Sequence, residues 1–177
     1  MIDQAVSNTI TSLNEYFLKR TGKSAVVEAD SLTRENIVIP TDKIILTVVG
    51  IEEDRVSVTR TYYNADEKNY QQPEVRVNLM LLFTSTHAIY DEKLRNLSYV
   101  LTFFQTHPLL NNPTEGIRHL AFELQTLTFE QQSYIWGLLA LKYQPCVVYR
   151  MRVVALQDKE VMMEGSPINV IQISTSS

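Results

Sequence analysis

A chain of 177 residues is enough for one substantial core and short for two. Its 45% hydrophobic and 20% charged residues are ordinary for a globular protein, and five glycines leave no glycine-rich linker or low-complexity tract. With 16 Lys and Arg against 20 Asp and Glu the formal net charge is -4, so counterion release supplies no general drive toward nucleic acid, and a single cysteine excludes an intramolecular disulfide framework.

The opening "MIDQAVSNTI" carries Asp3, no basic segment and no long apolar run, which is not the pattern of a secretory signal. Nowhere does an apolar run approach the roughly 18 residues of a membrane helix. The expectation is a protein made and folded in the cytoplasm, without a membrane partner. Ile2, Val6, Ile10, Leu13 and Phe17 recur at helical spacing, with Asp3 near the positive end of the dipole and Lys19 and Arg20 near the negative end. They predict an amphipathic helix over 2–20, closed by Gly22.

"KIILTVVGI" (43–51) is β-branched and apolar on both faces, which predicts a strand covered on both sides by its own chain or by another subunit. Glu52, Glu53 and Asp54 then read as a compact acidic turn, and "RVSVTRT" (55–61) as a strand with one wet face. "YYNADEKNYQQPE" (62–74) has no period and carries a proline, the pattern of a long surface loop. "VRVNLMLLF" (75–83) sets Val75, Val77, Leu79, Leu81 and Phe83 against Arg76, Asn78, Met80 and Leu82, and predicts a central strand.

Leu94, Leu97, Leu101 and Phe104 make a stripe on a helix over 89–106, ended at His107-Pro108 because proline disfavours helical geometry in the residue before it. "HLAFELQTL" places Leu120, Phe122 and Leu124 opposite Glu123 and Gln125, a half-buried strand. Thr128 and Gln131 have the spacing of a capping box, opening a helix over 129–143 with Ile135, Leu138 and Leu139 inward. In "VVYRMRVVAL" (147–156), Tyr149, Met151, Val153 and Ala155 alternate with Arg150, Arg152 and Val154. The order predicts an α+β fold: a small, mainly antiparallel sheet flanked by about three helices, one domain over 1–157, with 158–177 an arm that orders on a partner.

Little in the chain suits catalysis. His87, His107 and His119 stand at element junctions without a histidine or cysteine at metal-ligand spacing, so no metal site is expected. Cys146, beside Pro145 at the start of an apolar strand, reads as a buried thiol and not as a nucleophile. No phosphate-binding, dinucleotide-binding, zinc-protease, hydrolase or calcium pattern occurs, so neither a cofactor nor an enzymatic activity is expected. The three carboxylates at 52–54 do not converge as a cation site would, which leaves a solvated turn or an acidic rim that fixes the register of a basic partner. Tyr134, Trp136 and the Phe103-Phe104 pair put aromatics on both flanks of their helices, more than one small sheet covers.

In order along the chain, "IILTVVGIEEDR", "VNLMLLFTST", "YDEKLRNLSYVLTFFQTHPLL" and "LTFEQQSYIWGLLALKYQPCVVYRMRVV" resemble a known family. It is that of the cap, or tail-terminator, proteins of phage-tail-like contractile injection systems, such as those of the anti-feeding prophage and the Photorhabdus virulence cassettes. The resemblance implies a structural protein: a homo-oligomeric, hexameric ring at the end of the particle distal to its baseplate, which terminates the inner tube and anchors the last sheath layer. Its partners would be tube and sheath proteins. Ile51, Glu52, Glu53 and Arg55 match the family's acidic turn, and Trp136, Lys142, Tyr143, Pro145, Tyr149 and Arg152 its tryptophan-helix and strand motif. Pro145 apart, these and Arg150 are the candidate interface residues, with Glu52 and Glu53 expected to meet Arg150 or Arg152 of the next subunit. The residues alone leave open a small soluble adaptor domain without catalysis, and an enzyme using His87 or Cys146, which would need one of them pointing into a deep pocket.

Overall fold

The structure, a computed structural model, describes residues 2–32, 40–54, 62–64, 69–71, 76–111 and 117–155. The expected strand at 55–61, Arg55 within it, and the expected arm at 158–177 lie outside the described residues. Helix α1 spans Ile2–Thr21 and buries Val6, Leu13 and Phe17 of the predicted stripe together with Ala5 and Thr9, while Ile2 and Ile10 are only partly buried at its border. Thr9 is tolerated at the core because its Oγ1 donates to the Ala5 carbonyl 2.8 Å away. Gly22, at φ 72°, ends the helix in the left-handed region while its N–H bonds to the Leu18 carbonyl at 2.9 Å.

Among the described residues eight strands follow: β1 (Val27–Ala29), β2 (Ile44–Glu53), β3 (Tyr62–Asn64), β4 (Asn69–Gln71), β5 (Arg76–Ser85), β6 (Leu109–Asn111), β7 (Ile117–Gln125) and β8 (Cys146–Ala155). Helix α2 (Tyr90–Thr106) lies between β5 and β6, and α3 (Phe129–Leu138) between β7 and β8. Six strands form one sheet in the order β1-β2-β5-β8-β7-β6, antiparallel except for the β1-β2 pair. The fold is α+β, and β5 is central between β2 and β8. In place of a featureless loop after residue 61, β3 and β4 pair antiparallel with Tyr63 opposite Tyr70.

Alternation along each strand sorts the sheet into two faces. Toward α1 and α2 point Ile44, Leu46, Leu79, Leu81, Phe83, Leu120, Phe122, Tyr149, Met151 and Val153, all buried in one cluster with Leu97, Val100, Phe103 and Phe104 of α2. Aromatic contacts join the layers: Phe104 lies 4.5 Å from Phe122 and from Tyr149, and Phe17 of α1 meets Tyr99 of α2 at 5.6 Å. On the opposite face Ile45, Leu82 and Val148 form a smaller cluster with Leu32, against which Ile135, Leu139, Leu141 and Cys146 pack. The doubly apolar start of β2 is therefore covered on both sides by its own chain.

Two short edge strands, β1 and β6, escape the sequence periodicity. At β1, Asn14 of α1 stands in for a neighbouring strand: its Nδ2 donates to the Val27 carbonyl (2.9 Å) and its Oδ1 accepts from the Val27 N–H (2.8 Å). The sheet edge ends on a side chain, which leaves this residue's ladder groups satisfied. Helix α3 stops at Leu138 and does not run to Tyr143. Ala140 adopts φ 53°, its N–H bonds to the Gly137 carbonyl, and the Leu141 N–H reaches back to Trp136. That reversal satisfies the last carbonyls and folds Leu141 under the helix. Its start is the expected one, with Thr128 and Gln131 forming the capping box in both directions.

Candidate assembly surface

Two histidines, His87 and His107, are held in structural contacts. His87 Nδ1 is 3.2 Å from Ser85 Oγ and 3.1 Å from Asn96 Nδ2, which ties the end of β5 to α2. His107 caps α2 through its N–H to the Phe103 carbonyl (2.8 Å) and stacks on the Phe103 ring. Burial pushes the Cys146 thiol up from its ordinary range, the Trp136 indole acting against that rise, so the thiolate is scarce at neutral pH. Among the described residues no group of three or more His, Cys, Asp or Glu could hold a metal ion.

What distinguishes the molecule is its outer sheet face. One half lies under α3. The other half carries Glu52, Asn78, Glu123, Arg150 and Arg152, placed side by side by the β2-β5, β5-β8 and β7-β8 registers. Arg152 Nε lies 3.3 Å from Asp54 Oδ2, and Arg150 approaches Glu123 Oε2 at 3.6 Å. Both arginines, expected to meet a neighbour's acidic turn, are thus engaged by carboxylates of their own chain. Glu52 and Glu53, expected in a turn, lie in β2, since β5 is long enough to pair with both, and Asp54 follows the strand. Ile51, Glu52 and Glu53 are exposed at the tip of that strand, while Asp54 is buried.

A second exposed region surrounds α3. Its start and outward side carry Phe129, Tyr134 and Leu138, with 88%, 67% and 85% of each residue's surface exposed, and Tyr143 and Lys142 follow beyond the helix. Leu138, expected inward, points out because the short helix presents Trp136 to the sheet, with Ile135 and Leu139 beside it. Trp136 and Tyr149 are core residues, so they support a surface from beneath and do not form one. The signal was present in "FEQQSYIWGLLAL", where apolar residues go round the helix and exceed one stripe.

Between the exit of α3 and the β5-α2 junction lies a cleft of about 360 Å³ walled by Leu32, Trp136 and Leu141, with Lys93, Lys142 and Gln144 at its side. The Lys93 ammonium donates to Gln144 Oε1. Among the described residues no helix is long and apolar enough to cross a membrane.

The fold has counterparts. A sequence model of the family described as the Pvc16 N-terminal domain matches residues 5–169. The chain is similar to the PVC sheath/tube terminator of an extracellular contractile injection system, seen by cryo-EM in the extended state, with a TM-score of 0.61 and 11% identity over 95% of this chain and 63% of that one. It is also similar to the anti-feeding prophage cap, a tube-terminating cap, with a TM-score of 0.58 and 17% identity over 93% of this chain and 59% of that one. The chain therefore spans about three-fifths of the length of these two structures. No match among curated proteins accompanies them.

Proposed function

The chain belongs to the Pvc16 N-terminal domain family, and from that premise we propose that it is a structural cap of a contractile injection system. In this reading copies of the chain form a ring, six-membered like the tube it closes, at the end distal to the baseplate. The ring stops growth of the inner tube and holds the last sheath layer. The protein is made in the cytoplasm of the producing bacterium and leaves it within the assembled particle.

The observation that carries the reading is the fold likeness, over 95% of the chain, to a protein described as a sheath/tube terminator. The surfaces are of the kind such a subunit needs. Phe129, Tyr134, Leu138 and Tyr143 expose large apolar groups around one short helix, and isolated soluble domains seldom leave such a cluster uncovered. Ile51, Glu52, Glu53, Lys142 and Tyr143 are the contact residues of the proposal. Arg150 and Arg152 shape its charged border through their own ion pairs, and Trp136 and Tyr149 hold the surface in place from within.

Electron microscopy of particles from the producing cell, with and without the gene, tests the role. Deletion is expected to give tubes and sheaths of undefined length, or sheaths that fall from their tubes. Particles of unchanged length would end the cap reading and favour a soluble adaptor.

A further inference from the structure

Two features at opposite ends of the sheet have complementary chemistry. At the α3 end, the cleft is walled by Leu32, Trp136 and Leu141 and flanked by the ammonium groups of Lys93 and Lys142. Among the described residues neither lysine has a carboxylate partner. At the other end, the tip of β2 presents Ile51, 59% exposed, followed by Glu52 and Glu53, whose carboxylates have no cationic partner among the described residues. Ile45 packs in the cluster under α3, and Glu53 stands eight residues further along the same strand, roughly 26 Å away at ~3.3 Å per residue. The tip cannot bend back to the cleft of its own chain.

We infer that the cleft beside α3 receives the Ile51-Glu52-Glu53 tip of a second copy of this chain. Ile51 supplies an exposed branched side chain for an apolar wall, and the two carboxylates supply the countercharge for Lys93 and Lys142. A paired β-strand holds the tip, so little conformational entropy is lost on docking. The contact joins different patches on the two copies, which makes it head-to-tail. Such contacts close into rings when the rotation per subunit allows and run on into chains when it does not. The inference rests on the cap reading only for its setting: particle length tests the role, whereas self-association of the purified chain tests the contact.

Sedimentation of the full chain over a concentration series, at low and at high salt, measures that association. The wild type is expected to self-associate, more weakly at high salt because the carboxylate-ammonium pairs are screened. Lys142→Glu, and separately the pair Glu52→Lys with Glu53→Lys, are expected to weaken association roughly tenfold or more. A chain carrying all three reversals recovers part of it, since the reversed position 142 again attracts the reversed tip while Lys93 still repels it. Glu130→Lys, a reversal on α3 itself away from the cleft's lysines, is the control and leaves association as it was. All four positions are exposed, so folding is retained and checked by the melting transition. A wild type that stays monomeric throughout, single reversals without effect, a triple variant that fails to recover, or loss of association on Glu130→Lys alone would each overturn the contact.

Discussion

The two faces of the sheet differ more than any other two regions of the molecule. The inner face is apolar across its middle and buried there under α1 and α2, which meet one another through Tyr16, Phe17, Tyr99 and Phe103, while Leu124 at its β7 end stays 51% exposed. The outer face has one helix of 10 residues, and beyond it the strands turn to Glu123, Arg150 and Arg152. Folding free energy is concentrated on the first face. The second is only partly used for folding, and its remainder is available to a neighbour.

The comparison breaks most visibly at Phe104, which sits among Phe83, Phe122 and Tyr149. Phe104→Ala is expected to destabilise the fold by ~3–5 kcal/mol through the cavity it leaves, read from chemical denaturation. Asn14→Ala follows at ~1–3 kcal/mol, because the Val27 N–H and carbonyl lose their partner in a partly buried place. Hydrogen exchange at Val27 should then rise ahead of that in β5. On the outer face, Thr128→Ala removes the capping box of α3 and is expected to cost about 1 kcal/mol in the same denaturation measurement. Leu138→Ser sharpens the contrast at its lower limit. At 85% exposed it should leave stability within ~0.5 kcal/mol, so a large loss would mean that the outer face is part of the folding core after all.

Much of this asymmetry was legible in the sequence, and the failures have physical causes. Alternation in "VNLMLLF" and "VYRMRVV" assigned the inner residues of β5 and β8, since a period of two fixes which face a side chain takes. The boundary of α3 was misplaced by five residues because Ala140 is a good helix former that here adopts a left-handed turn, a choice made by the packing of Leu141 against the sheet. Strands β1 and β6 span three residues each, too few for a period to show, and β1 exists because Asn14 and β2 hold it on either side. Glu52 and Glu53 have turn-like composition, yet β5 offers them ladder bonds as far as Val77.

At the assembly surface the sequence alone identified the acidic residues, the tryptophan helix and the basic strand, and showed that the chain carries more aromatic surface than one small sheet covers. It could not say which charges are already engaged. Arg152 and Asp54 are far apart along the chain, and it is the stacking of β2, β5 and β8 in one sheet that brings them to 3.3 Å. Nor could it separate the buried Trp136 from the exposed Tyr134 and Leu138, which differ only in their angle about one short helix. Residue type and period are local properties and determine elements and faces. Which groups pair, and which are left for another molecule, depends on distances that only the packed chain sets.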